Sequence, residues 1–233
     1  MDTVSPVIPV TLNCAELTTR EINTALRELP DGAGVMITDP RGRHNLAVGL
    51  TNSLDITIDG NAGYYTGGLC QGPDITVKGF VGWGVGENLM SGTIRVLGSA
   101  SQSVGSSAHG SLIVIEGDAS LRAGISLKGG TIAIAGDAGS MCAFMAQAGT
   151  ILVGGNAGAA LGDSLYEAVI YVSGTIASLG ADARIEEMDD DDMLAVKHLV
   201  ELTGFDHIEP GNVKKVTSAR NLYHFDSANF NAY

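Results

Sequence analysis

An all-β fold, a single right-handed parallel β-helix of 19-residue coils, is predicted by three features of this sequence. Glycine recurs with a constant 19-residue period, at Gly60, Gly79, Gly98, Gly117, Gly136, Gly155 and Gly174. Isoleucine stands four positions before each (Ile56, Ile75, Ile94, Ile113, Ile132, Ile151, Ile170), and Ile or Val stands two before (Ile58, Val77, Val96, Ile115, Ile134, Val153, Val172). Nothing is inserted or deleted over about six turns. A unit this short cannot bury its own apolar face, so it must stack on copies of itself.

The apolar pair reads as a strand with one buried face, because side chains alternate along a strand. The residue between them varies freely (Thr57, Thr76, Arg95, Val114, Ala133, Leu152, Tyr171), as an outward position should. Two positions after the glycine come Ala62, Val81, Ala100, Ala119, Ala138, Ala157 and Ile176. Further columns follow in register: Thr66, Val85, Val104, Ala123, Cys142 and Leu161, then Cys70, Leu89, Ala108, Leu127, Ala146 and Leu165. Between them runs a second glycine column, Gly67, Gly86, Gly105, Gly124 and Gly162, interrupted by Ala143. Both glycine columns mark corners that need positive φ or close backbone approach. Stacked coils lie about 4.8 Å apart, and the crossovers are expected to be right-handed. Each fully buried Ile or Val contributes about 1.5–3 kcal/mol, repeated along several columns.

The flanks are expected to cover the two open ends of the stack. Residues 1–50 form an N-terminal cap segment, 51–185 the β-helix, and 186–233 a C-terminal helix and a partner-contacting tail. Thr18-Thr19-Arg20-Glu21 fits a capping box, followed by Ile22, Ala25, Leu26 and Leu29 on one helical face. Gly32 and Gly34 stop that helix, and Val35–Thr38 reads as a strand. Ile37 falls one full period before Ile56, so a degenerate first coil is expected there. Asp189–Asp192 precede a helix from Met193 to Thr203, closed by Gly204, and suit the positive end of its dipole. The tail from Phe205 to Tyr233 concentrates aromatics that the repeats lack. It either contacts a partner or folds back along the coils.

Composition fits a thin layered core: 45% of residues are hydrophobic, only 5% aromatic, and 32 are glycine. The net charge of −13 argues against nucleic acid, which requires a basic face. No run of apolar residues reaches membrane-spanning length. The first residues lack the basic start of a signal peptide. Cys14, Cys70 and Cys142 form no zinc or redox spacing, which fits a reduced, cytoplasmic setting.

Little here points to independent catalysis, and no catalytic, cofactor-binding or metal-binding position is assigned. His44, His109, His198, His207 and His224 are scattered without metal spacing. His198 reads as a packing or capping residue on the second helix, and His109 as a corner residue facing a partner. Gly82-Trp83-Gly84-Val85-Gly86 resembles a dinucleotide loop only superficially, since no helix pattern follows it. Asp118 and Asp137 share a column with Asn61 and Asn156. Corner-closing Asx chemistry is the ordinary reading, and a cation held between the two carboxylates the alternative. The dense glycine-aspartate pattern of calcium-binding nonapeptide arrays is missing.

The steps Gly60-x-x-Gly63, Gly79-x-x-Gly82, Gly136-x-x-Gly139 and Gly155-x-x-Gly158, with the second glycine column, resemble the repeated-glycine (GXGXG) domain that ends the glutamate synthase large subunit. The likeness runs from Leu54 to Ile185 and continues into His198-Leu-Val-Glu-Leu-Thr-Gly204. One of the subunits of formylmethanofuran dehydrogenase has a more distant version of the repeat. The flank from Pro210 to Phe225 most resembles the free-standing subunit of N-methylglutamate synthase. Phe205 stands where glutamate synthase usually has serine, which favours that comparison. The resemblance implies a non-catalytic scaffold in a hetero-oligomer that converts methylamine and glutamate to N-methylglutamate and ammonia. It implies a glutamine amidotransferase-like partner and an FMN-binding glutamate synthase-like partner, with FMN and an iron–sulfur cluster outside this chain. A scaffold subunit of an archaeal-type glutamate synthase is the alternative within that class. Outside it stand a self-assembling structural β-helix and a carbohydrate-active one, the latter limited to Trp83, Tyr64, Tyr65 and Tyr171 as sugar platforms.

Overall fold

The computed structural model describes residues 9–220. In chain order it contains β1 (Val10–Asn13), α1 (Thr19–Glu28), β2 (Gly34–Thr38), β3 (Asp55–Ile58), β4 (Gln71–Val77), β5 (Ser91–Val96), β6 (Gly110–Ile115), β7 (Lys128–Ile134), β8 (Ala148–Val153), β9 (Val169–Val172), β10 (Ala183–Glu186), α2 (Asp190–Thr203) and β11 (Lys214–Ser218). Strands β1 to β9 lie side by side in chain order, all parallel, as coils of one solenoid. The isoleucine column is a continuous ladder, Ile56 against Ile75, Ile94, Ile113, Ile132, Ile151 and Ile170. All of these side chains are buried, as is the Ile/Val column two positions on. The alanine-rich column forms its own row of parallel bridges from Ala62 to Ile176. The parallel β-helix and its 19-residue period therefore stand as the sequence predicts.

The first coil departs from the expected register. Ile37 pairs with Ile58 and Val35 with Ile56, so the step from β2 to β3 exceeds the period by two positions and Ile37 does not match Ile56. By Arg43, which bridges Ala62, the regular period is restored. The two additional positions lie in the Thr38–Gly42 corner, where Asp39 and Arg41 take positive φ around Pro40. An even insertion preserves strand alternation, so Val35 and Ile37 still face the core.

The ends are closed by different means. Helix α1 starts at the expected capping box, Thr18 and Glu21 each accepting from the other's backbone N–H. It ends at Glu28, earlier than glycine would stop it, because Leu29 precedes Pro30 and is held extended. Ile22 and Leu26 are buried in the core of the first coils. Asn23 donates to the Asn45 carbonyl (2.7 Å) and Asn52 to the Leu26 and Leu29 carbonyls (2.8 and 2.9 Å), which fixes the helix over the coil mouth.

At the other end, β11 runs antiparallel between β9 and β10. It occupies the edge that a further parallel coil would otherwise use. The outermost strands, β1 and β10, are both short, and β10 carries the paired charges Arg184 and Glu186. Short, charged edges discourage sheet-to-sheet growth. Among the described residues, no helix is long and apolar enough to cross a membrane.

Helix α2 lies along the side of the stack. It begins at Asp190, ahead of the expected Met193, with Asp189 and Asp192 forming a capping box, and Gly204 closes it in left-handed conformation. Its Val196 and Leu199, with Phe205, Ile208 and Val213, bury Val114, Ala133, Leu152 and Tyr171 in a second core. These four are the outward residues of β6 to β9, so that part of the face is covered. Thr57 and Thr76 continue the same column beyond the second core, and Arg95 meets the end of the helix at Thr203. The segment from Phe205 to Ser218 thus folds back onto the coils; Tyr223, His224, Phe225, Phe230 and Tyr233 lie outside the described residues.

Candidate functional site

Four ring side chains, His44, Tyr64, Tyr65 and Trp83, lie together on the outer turns of the first coils. Tyr64 and Trp83 hold the same place in consecutive repeats, so the solenoid sets them one above the other. Their rings stack at 5.2 Å with 19° between planes. His44 adds a third ring above Tyr64, at 4.1 Å and 12°. Its Nδ1 accepts the Tyr64 backbone N–H at 3.0 Å, which fixes the imidazole plane. Beside the ladder, the Tyr65 hydroxyl donates to Glu87 Oε1 across coils (3.0 Å). Tyr64 is 44% exposed and Trp83 50%. Tyr64 has a ring against each face, whereas His44 and Trp83 each have a ring against one face. A sugar ring needs a free face to stack on, which Tyr64 lacks. Tyr171, the remaining ring of the sugar-platform reading, is buried under α2.

The glycine columns divide by physical role. In the second column Gly105 has φ +61°, and a Cβ there would lie 2.6 Å from Ile132 Cδ1 and 2.9 Å from Ile113 Cδ1. In the first column, Gly79, Gly98, Gly117, Gly136, Gly155 and Gly174 have no need of positive φ. There the previous coil leaves no room, as at Gly98, where a Cβ would meet the Gly79 carbonyl oxygen at 2.9 Å. Ala143 keeps the left-handed backbone of the column it interrupts (φ +61°).

The Asp118 and Asp137 column builds a corner ladder. Asp118 Oδ1 accepts the Asp137 N–H (2.8 Å), Asp137 Oδ1 the Asn156 N–H (2.6 Å), and Asn156 Oδ1 the Thr175 N–H (3.0 Å). Asn61 does the same for Phe80 (3.1 Å). Each side chain thus satisfies a backbone donor of the next coil. Among the described residues, no group of three or more His, Cys, Asp or Glu could hold a metal ion. Asp137→Ala is expected to lose about 1 kcal/mol by urea denaturation, the value of one such bond, and Asp137→Asn much less. Calcium that raised the wild-type midpoint but not that of Asp137→Ala would instead favour a cation between the carboxylates.

Among the described residues, the histidines do not converge. His198 is exposed on α2, so the packing role expected for it is not seen. His207 Nε2 lies 3.0 Å from the Ala135 carbonyl oxygen. His109 sits half-buried at its corner, with Nδ1 enclosed and without a hydrogen-bond partner. Gly82–Gly86 form turns followed by β5, with no helix after them.

A polar cluster that no local pattern foretells holds α2 to the stack. Asp192 is buried at the helix N-terminus, where it accepts from Tyr171 Oη (2.7 Å) and Lys215 Nζ (2.7 Å). Burial pushes its carboxyl upward, but the bonds from Lys215, Tyr171 and the Asp189 N–H outweigh that and hold it at about 2. Tyr171 is raised by burial and by Asp192, and Lys215 is raised by Asp192. At the other end of α2, Arg95 donates to the Thr203 carbonyl (3.2 and 3.3 Å) and pairs with Glu116 (2.8 Å). A cation on the last carbonyls of a helix complements its dipole.

No protein-family profile matches this chain. A 72-residue stretch is 42% identical to Protein GlxC of Rhizobium meliloti (strain 1021). The match covers 31% of this chain and 32% of that protein, so the chain spans about a third of the length of its relative.

Proposed function

We propose that this chain is a scaffold subunit of a glutamate synthase-related enzyme complex, and that the complex is an FMN-dependent N-methylglutamate synthase. The observation that carries this reading is the unbroken 19-residue glycine repeat, built as a rigid stack whose outer surface presents an ordered aromatic ladder. The segment shared with Protein GlxC adds support. In this reading residues 1–50 cap the stack, 51–185 form its body, and 186–233 hold α2 and the tail. A glutamine amidotransferase-like subunit and an FMN-binding subunit dock on it in the cytoplasm.

FMN and the iron–sulfur cluster belong to a partner. The cysteines here do not suit cluster ligation: Cys70 and Cys142 are buried in different coils, and burial pushes the Cys142 thiol up to about 12. A cluster needs thiolates that converge.

The test is purification of the complex from its own cells through a tag on this chain, followed by native mass spectrometry and assay. Methylamine plus glutamate should yield N-methylglutamate and ammonia, with a flavin-bearing subunit in fixed ratio. Turnover of 2-oxoglutarate plus glutamine instead would identify the archaeal-type glutamate synthase. A homo-oligomer without flavin would point to a self-assembling structural protein and end the proposal.

A further inference from the structure

Exposed apolar side chains do not end at the aromatic ladder. Tyr64, Tyr65, Leu69, Trp83, Leu121 and Met145 are each 41–56% exposed, and all lie on the same outward turns of successive coils. These turns are 63–69, 82–88, 101–107, 120–126, 139–145 and 158–164 in the 19-residue register. Glu87, Arg122 and Asp163 are the only charged side chains in these turns, although the whole chain carries 26 acidic and 13 basic residues. Charge is thus concentrated elsewhere, and a row of turns rich in aromatics and methionine is left nearly bare of it.

Depletion of charge with enrichment in Tyr, Trp and Met is the composition of an interface centre. The size agrees. Aromatic and large aliphatic side chains of about 150–250 Å² that are half exposed leave roughly 100 Å² each. The six together expose on the order of 600 Å², spread over five coils with uncharged polar residues such as Gln102 and Ser107 between them, against the ~800 Å² that each side of a standard interface buries. The surface is also pre-ordered: the ladder rings are stacked, and backbone hydrogen bonds join each turn to the next, as from Tyr65 N–H to the Trp83 carbonyl (2.8 Å). Little side-chain entropy remains to be lost on docking.

We infer that this turn face is the docking surface for a different polypeptide, one that presents an uncharged apolar patch. A charged patch would be buried here without partners, at a cost of several kcal/mol for each ion. A second copy is disfavoured, because each copy carries a net charge of −13 and pairing would bring two such charges together. The inference rests on the scaffold reading above and assigns it a face.

The experiment uses the complete chain, tagged in its own cells, as wild type, as the Tyr64→Glu/Trp83→Glu/Leu121→Glu variant, and as Trp83→Ala. Recovery of the stoichiometric partner, identified by its sequence, should fall at least tenfold in the triple variant. Trp83→Ala should weaken association about thirtyfold, the effect of a hot-spot aromatic. Circular dichroism should match wild type, and the melting temperature should fall by no more than several degrees, the cost of the lost ring stacking. Arg184→Glu, on the far edge strand, should leave recovery unchanged. Wild-type recovery of the partner by the triple variant overturns the inference. So does a wild-type chain that is monomeric, or one that forms a homodimer split by these substitutions. A partner that is neither flavin-bearing nor amidotransferase-like, and that is lost on these substitutions, would refute the enzyme reading and leave the docking face standing.

Discussion

Replacing Asp192 with alanine is expected to cost about 3–5 kcal/mol and to release α2 and β11 before the coils themselves unfold. The carboxylate joins three parts of the fold at once: the α2 N-terminus, Tyr171 on β9 and Lys215 on β11. Its loss leaves a buried hydroxyl and a largely buried ammonium without their acceptor, and that burial carries most of the cost. Hydrogen exchange over 190–218 should accelerate in the variant, while the isoleucine strands stay protected. Asp192→Asn should be milder, because an amide oxygen still accepts from Tyr171 but no longer neutralises Lys215. The pH dependence has a definite sign. The folded carboxyl titrates at about 2, below its ordinary 3.8, so its stabilisation is complete above about pH 4 and is lost as pH falls toward 2. Lys215, raised by Asp192, contributes fully below the ordinary lysine range and fades only as pH rises through its folded value. Wild-type stability should therefore drop between pH 4 and 2 more steeply than that of Asp192→Ala. Parallel slopes for the two proteins in that window would rule this cluster out as the clamp.

The coil body was legible because a periodic fold writes its own register. Every column from Gly60 to Val172 repeats without insertion or deletion, so inward and outward positions follow from alternation alone. The first coil was less so: Pro40 and the positive-φ residues beside it widen one corner by two positions, and a single sequence offers no second copy to reveal that. The docking site of α2 was partly written. The outward column changes from Thr57, Thr76 and Arg95 to Val114, Ala133, Leu152 and Tyr171, and that switch marks where the helix lies, although each residue alone looks unconstrained. The aromatic ladder was half visible. Tyr64 and Trp83 share a column, whereas His44 reaches the stack through the irregular first coil, one position out of step with the repeat. The Tyr171–Asp192–Lys215 cluster joins residues from three elements whose meeting depends on β11 turning back antiparallel. Local sequence carries no record of that step.

Gly105→Ala separates the two demands that the glycine columns make, and it is expected to destabilise the fold by about 2–5 kcal/mol. Roughly 1–2 kcal/mol comes from placing a Cβ at φ +61°, and about 1–3 from pressing it against Ile113 and Ile132, which sit in neighbouring coils of the core. The contacting atoms are terminal methyls, but both isoleucines are fully buried in their own ladders, so relief requires packed neighbours to shift. The informative partner is Ala143→Gly at the equivalent point two coils later. Ala143 already has φ +61° and is fully buried, so glycine relieves the backbone while removing one buried methyl worth about 0.8 kcal/mol. These contributions oppose each other, and the variant should stay within about 1 kcal/mol of wild type. Urea midpoints at matched m-values decide the matter. If the corner tolerates a side chain as readily at Gly105 as at Ala143, the second glycine column is not set by coil-to-coil packing.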